Sequence, residues 1–264
     1  MCGIAGFVLD RRERTKQEFE GIREDFATLL AATEVRGRDA AGAFVFTPGK
    51  TTYYHKQPGP ASRMVMQPAF WALLDTITSE TVGVVGHTRW ATHGSPKDNA
   101  NNHPLLVGPI IGVHNGVVAN YRELAQQVGA TTQVDSEVIF RLLRRHANGH
   151  MRPRAVRRAL ARVNGGFAIA FADMRSKSIW LARNHMPLAI GKDKERGVLW
   201  FASLPELLRL ILGSDAEVRM LKPYCGYEVT RDNCLNGLAG FSLVYVGKVQ
   251  RWNRGYLVGN GKAR

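Results

Sequence analysis

The sequence predicts an α+β domain in which β-sheets pack in layers under helices. Three observations lead there. Short apolar runs of strand character fill both ends of the 264-residue chain. A pair of helical segments stands between them. No low-complexity linker or internal repeat divides the chain before a basic, glycine-rich end that starts near Asn253. The organisation is therefore one domain over residues 1–250, followed by a tail over 251–264.

The elements follow in order. Gly3 and the apolar run Ile4 to Leu9, broken only by Gly6, predict a buried strand. Phe19, Ile22, Phe26, Leu29 and Leu30 recur at helical spacing within 17–35. Residues 41–47 and 51–55 predict two strands joined at the turn signal Pro48-Gly49. A weaker helix spans 67–77. Residues 82–86 and 110–113 predict buried strands, each running into a polar cluster. Helices are expected over 120–128 and 135–147, then strands over 166–173, 178–182 and 198–202. A helix over 204–212 and final strands over 227–230 and 241–246 complete the pattern.

Composition narrows the class. A hydrophobic content of 45% supports a sizeable core. No apolar run reaches the roughly 18 residues that a bilayer span requires. The start does not read as a signal peptide, because Asp10-Arg11-Arg12-Glu13-Arg14 follows the first expected strand at once. Three cysteines, Cys2, Cys225 and Cys234, make no disulfide framework. Cys225 and Cys234 can pair on paper, but free thiols in a reducing compartment are the preferred reading. The expected setting is cytoplasmic.

The charge is less ordinary, at +14 with a pI near 10.1. Eight arginines fall between Arg141 and Arg162, in what reads as two short helices around Gly149 and Pro153. This segment is either an electrostatic footprint for nucleic acid or an acidic partner, or a solvated face. No nucleic-acid motif accompanies it and no aromatics interleave with it, which weighs toward the solvated face.

Cys2 is the most informative residue. Loss of Met1 would leave a thiol and a free α-amine on one residue. Such an amine, with a pKa of roughly 7.7–8.0, takes and returns protons at neutral pH. An N-terminal cysteine thus carries its own base, and the buried strand behind it holds that end in place.

Four polar clusters stand near predicted strand or helix ends. They are Arg36-Gly37-Arg38-Asp39-Ala40-Ala41-Gly42, then Gly86-His87-Thr88-Arg89-Trp90-Ala91-Thr92-His93-Gly94, then His114-Asn115-Gly116, and Val134-Asp135-Ser136-Glu137-Val138. Each has a plain structural explanation. Arg36 and Asp39 can form a turn and an ion pair. Asn115-Gly116 is a strong turn dipeptide. Asp135 can cap a helix with Glu137 in its first turn. The spacings of His87, His93, His103 and His114 fit no metal-ligand pattern. The expectation is no metal and no cofactor.

Taken together with Met1-Cys2-Gly3-Ile4-Ala5-Gly6 and the word Asn101-Asn102-His103-Pro104, these clusters resemble one family. They look like the glutaminase domain of the class II glutamine amidotransferases, N-terminal nucleophile hydrolases. Within it they are most similar to glucosamine-6-phosphate synthase and amidophosphoribosyltransferase. The words occur in the family's order between residues 2 and 138.

The resemblance implies a four-layer αββα sandwich and hydrolysis of the side-chain amide of glutamine. It implies Cys2 as nucleophile, with its α-amine as base through a water. Arg89 would hold the α-carboxylate of glutamine and Asp135 its α-ammonium. The Asn115 side chain and the Gly116 backbone N–H would form the oxyanion hole. Thr92 and His93 would line the substrate loop, and Trp90 would gate it.

In the family an acceptor domain usually follows, and this chain ends roughly where the glutaminase domain would. The expectation is a subunit that passes ammonia to a separate acceptor enzyme. Two other readings stand beside it. One is a free-standing amidohydrolase of the same fold, against which Arg89 and Asp135 argue. The other is a basic binding module for nucleic acid or an acidic partner, against which Cys2 and Asn115 argue.

Overall fold

The computed structural model describes residues 1–244. Thirteen strands among these residues form two antiparallel sheets. The first sheet is built from β1 (Gly3–Leu9), β2 (Ala40–Phe46), β3 (Tyr53–Pro58), β4 (Gly83–Arg89), β9 (Ala189–Asp193), β10 (Val198–Ala202) and β11 (Val218–Met220). Its order is β11-β9-β10-β1-β4-β2-β3. The second comprises β5 (Leu105–Val107), β6 (Ile110–Val118), β7 (Gly165–Asp173), β8 (Ile179–Arg183), β12 (Cys225–Val229) and β13 (Gly240–Ser242), ordered β13-β12-β8-β7-β6-β5. The helices are α1 (Lys16–Ala32), α2 (Ala61–Met64), α3 (Pro68–Leu74), α4 (Tyr121–Val128), α5 (Glu137–His146), α6 (Pro153–Leu160) and α7 (Pro205–Leu212).

Strand alternation turns these elements into layers, because successive side chains point to opposite faces. On β1, Ala5, Phe7 and Leu9 join a core with α1, α2, α3 and α7. Ile4 and Val8 point the other way, into a core between the two sheets. On β7, Phe167, Ile169 and Phe171 pack toward α4, α5 and α6. Ala168, Ala170 and Ala172 face the first sheet. Small residues on that face let the sheets approach closely. The result is the αββα sandwich, with cores between helices and sheet, sheet and sheet, and sheet and helices.

Local signals fix the helix ends. Thr15 Oγ1 accepts the Glu18 N–H at 3.2 Å, and Glu18 Oε2 accepts the Thr15 N–H at 2.8 Å, a reciprocal cap on α1. Proline stands at the start of α3, α6 and α7, where its missing N–H costs no helical bond.

The structure departs from the sequence reading at several points. β6 continues through Asn115-Gly116 to Val118, five residues beyond the expected end. α5 begins at Glu137 rather than 135. The short elements β5, β9, β11 and α2 were not anticipated, being three to five residues each. The expected tail over 251–264, and the end of the expected strand over 241–246, lie outside the described residues. Among the described residues no helix is long and apolar enough to cross a membrane.

Candidate active site

The site forms where the first residues of β1, the end of β4, the middle of β6 and the approach to α5 meet. β6 packs across β1 and β4 from the opposite sheet. Cys2 immediately precedes β1. The Trp90 N–H donates to its Sγ at 3.3 Å, and the thiol lies 3.4 Å from the Trp90 carbonyl oxygen. The Arg36 Nε–H donates to the Cys2 carbonyl at 2.8 Å. The nucleophile candidate is thus held on both its side chain and its backbone.

Glycine permits part of this arrangement. At Gly37 a Cβ would stand 2.4 Å from the Arg89 carbonyl carbon, so the Arg36-Gly37 segment can pass beneath the Arg89–Trp90 peptide only without a side chain. Asp39 continues the contact. Its N–H donates to the Arg89 carbonyl at 2.9 Å, and its carboxylate accepts the Ala91 N–H at 2.7 Å. The expected Arg36–Asp39 ion pair does not form. Arg36 turns to Cys2 and Asp39 to the Trp90 loop.

Arg89 is almost fully buried. It donates to Asn102 Oδ1 at 2.8 Å, to the Gly94 carbonyl at 2.9 Å and to the His93 carbonyl. These bonds use three of five guanidinium donors and fix its plane. Thr92 and His93 touch one another, with His93 Nδ1 at 3.3 Å from Thr92 Oγ1. The His93 ring rests edge-on against Tyr121, at 5.1 Å between centroids. The Trp90 side chain stands out in solvent at 57% exposure.

Asp135 caps nothing. Ser136 is the residue at the head of α5, and Asp135 Oδ2 instead accepts the Val118 N–H at the end of β6, at 2.7 Å. Glu137 does fall in the first turn, but its carboxylate folds back onto the N–H groups of Thr131 and Thr132. Asn115-Gly116 is no turn. Asn115 is completely buried in mid-strand, and its Nδ2 donates to Ser203 Oγ at 2.9 Å. Gly116 has φ +134°, and a Cβ there would meet the Gly166 carbonyl oxygen at 1.9 Å. No other residue type fits that crossing.

Electrostatics tie the pieces together. Burial pushes the Cys2 thiol pKa up, while the Trp90 N–H, the terminal ammonium and Arg89 pull it down and Asp135 raises it. Both charged candidates therefore act on one sulfur. Burial holds His87 neutral, with its pKa lowered to about 3, and lowers His103 and His114 as well. The rings of His87 and His103 lie 4.3 Å apart. His114 Nδ1 meets Ser136 Oγ at 2.7 Å. Among the described residues, no three His, Cys, Asp or Glu side chains gather as ligands for a metal ion.

The glutamine amidotransferase domain family matches residues 87–209, which hold Arg89, Asn115, Gly116 and Asp135. A glutamine–fructose-6-phosphate aminotransferase (isomerizing) of Thermus thermophilus is 34% identical over 239 residues. That match covers 87% of this chain and 37% of that protein. The enzyme of the same name from Symbiobacterium thermophilum is 34% identical over 215 residues, covering 79% and 32%. This chain carries a class II glutamine amidotransferase domain. It spans about a third of the length of these curated relatives.

The fold of the amidotransferase domain is likewise that of solved structures. The glutamine phosphoribosylpyrophosphate amidotransferase of B. subtilis, complexed with ADP and GMP, superposes with a TM-score of 0.70 at 20% identity. It covers 92% of this chain and 49% of that one. A structure titled as the allosteric regulatory enzyme of purine biosynthesis gives 0.66 at 21%, with the same coverages.

Within the amidotransferase domain, Trp90 touches Cys2 through its main chain, and Arg89 and Asp135 act on the Cys2 thiol through their charges. Asn115 reaches them through Ser203 and Ile4 rather than by direct contact with Cys2. Ser203 and Asn102 were missed as site residues. Asn102 lay inside a noted word, but its neighbours Asn101 and His103 drew attention. Ser203 precedes a proline-led helix and carried no sequence signal at all.

Proposed function

We propose that this domain hydrolyses the side-chain amide of glutamine and supplies the ammonia to an acceptor enzyme. One observation carries the reading. A half-buried cysteine thiol just before β1 lies within the field of a buried cation, Arg89, and a buried anion, Asp135. A free amino acid has an α-carboxylate and an α-ammonium. Those two side chains complement its two charges and would fix the amide over Sγ. A planar guanidinium grips a carboxylate better than an ammonium does.

After Met1 is lost, the α-amine of Cys2 takes the thiol proton through a water. The thiolate attacks the amide carbon, and charge gathers on the amide oxygen. Asn115 Nδ2–H and the Gly116 N–H are the donors assigned to it. The C–N bond then breaks, and the α-ammonium returns its proton to the departing ammonia. Water hydrolyses the thioester to glutamate and restores the thiol. Thr92, His93 and Trp90 belong to the loop that closes over the substrate.

Residues 1–250 make up this domain in our reading. The setting is cytoplasmic, in keeping with three free thiols among the described residues. For the acceptor we favour docking on the arginine face of α5 and α6. No Asp or Glu occurs from 138 to 172. Arg141, Arg144 and Arg145 line a cleft with Gln127 and Val128. An acidic protein surface suits it better than nucleic acid, because no aromatic side chains interleave with the arginines.

The test combines mass and chemistry. Intact-mass spectrometry should show loss of Met1, and a glutamine-like diazoketone should label Cys2. Cys2→Ala should abolish glutamate release while leaving the fold intact. Full activity with Met1 retained would overturn the assignment. Turnover that is unchanged by any co-purifying protein would count against coupling to an acceptor.

A further inference from the structure

Ser203 directly follows β10 and is completely buried. Its N–H donates to the Ile4 carbonyl at 2.9 Å, and its Oγ accepts the Ile4 N–H at 2.8 Å. One residue thus holds both backbone groups of Ile4, two positions after Cys2. The same Oγ accepts the Asn115 Nδ2–H at 2.9 Å. Ile4 lies in the first sheet and Asn115 in the second. A single hydroxyl spans the gap between the sheets and joins the strand of the thiol to the side chain of the oxyanion hole.

We propose that Ser203 is a positioning residue for glutamine hydrolysis, setting the Asn115 amide relative to the β1 strand that carries Cys2. The inference rests on the glutaminase reading above. The amide torsion of asparagine is broad, so its orientation depends on its hydrogen bonds. The His87 ring also acts on the Asn115 side chain, but the 2.9 Å bond from Nδ2 to Ser203 Oγ is the one with full hydrogen-bond geometry, and it anchors the rotation of the amide. A serine that only completed the β1–β10 ladder would need the Ile4 bonds alone. The bond to Asn115 is additional, and it crosses to the opposite sheet.

Kinetics and NMR of the full chain test this. Ser203→Ala should lower kcat by about tenfold to a hundredfold, with KM for glutamine little changed, as expected for slight misplacement of a reacting group. In an Asn115→Ala background the same change should cost far less, because its route of action is gone. The Asn115 side-chain amide protons, assigned by their loss in Asn115→Ala, should exchange slowly in the wild type and quickly in Ser203→Ala. If Ser203→Ala does not fold, Ser203→Cys keeps the volume with a weaker acceptor. It should then show a smaller loss in kcat and the same dependence on Asn115. Losses that multiply fully in the double variant, a loss confined to KM, or unchanged amide exchange would overturn the proposal. A wild-type chain that releases no glutamate would instead defeat the glutaminase reading. The amide exchange would still decide whether Ser203 anchors Asn115.

Discussion

Arg89 and Asn115 are both buried polar side chains of the candidate site, yet they should fail differently when changed. In the proposed reaction, Arg89 would offer a flat fork to a charge that glutamine carries in its ground state and its transition state alike. Arg89→Lys should therefore act on binding. The loss of a charged hydrogen bond of about 1.5–3 kcal/mol corresponds to roughly tenfold to a hundredfold in kcat/KM, and most of it should show in KM. Asn115, in the same proposal, would instead meet a charge that develops only in the transition states around the thioester. Asn115→Ala should depress kcat by about 10²–10³ with little change in KM. Steady-state kinetics on the two variants checks the split. A rise in KM alone for Asn115→Ala would remove it from the oxyanion hole.

At the scale of elements, β6 and the β4–loop junction build the site. β6 brings Asn115 and Gly116 inward because it runs on as a strand where the dipeptide alone suggests a turn. Its partner β7 supplies the reason: the pairing runs unbroken from Ile110–Asp173 to Val118–Gly165. At Gly116 the pairing with β7 leaves no room for a side chain. Gly116→Ala forces a Cβ onto the Gly166 carbonyl and a backbone torsion that alanine disfavours. Strain of this kind costs about 1–3 kcal/mol before the steric clash is added. The variant should lose several kcal/mol of stability or fail to accumulate as folded protein, measured by urea denaturation. Wild-type stability in that variant would mean that β6 sits farther from β7. At the β4 end, Gly37 and Asp39 hold the Trp90 backbone against Cys2. A loop that carries an exposed tryptophan is thereby tied to Cys2 through its main chain.

Across the whole molecule, the space between the layers holds three neutral histidines. His87 has a folded pKa of about 3, against about 6.5 when unfolded. The unfolded chain therefore binds a proton below pH 6.5 that the folded chain refuses until about pH 3. Stability must fall as the pH drops through this window, and it is fully retained above 6.5. Going from pH 7 to pH 5 should cost about 2 kcal/mol from His87 alone. His103 and His114 act in the same direction, although the charge of Asp135 beside His114 reduces its share. Denaturation midpoints at pH 5, 6 and 7 measure the slope. A flat profile between 7 and 5 would mean that these rings are not held neutral.

The α+β character, strands layered under helices, was legible because it rests on local patterns, whereas the four-layer αββα order was implied only by the family resemblance. The apolar runs of β1 and β7, helical spacing in α1 and the basic pair α5–α6 are properties of adjacent residues, and so are the motifs around Cys2, Arg89, Asn115 and Asp135. Short strands such as β9 and β11 were not legible, because three to five residues carry too little periodicity to be told from loops. The partners of the polar residues were equally hidden. Asp135 reads as a cap and becomes an acceptor for Val118; Arg36 reads as a turn residue and becomes a clamp on Cys2. The plainest case is Ser203, which lies 88 residues from Asn115 and 199 from Ile4 along the chain. The sequence by itself determined which chemical groups the molecule owns and the strands and helices that carry them. Only the tertiary structure decided which groups meet, because a hydrogen bond of about 3 Å between two sheets depends on how their faces stack, and no local pattern encodes that distance.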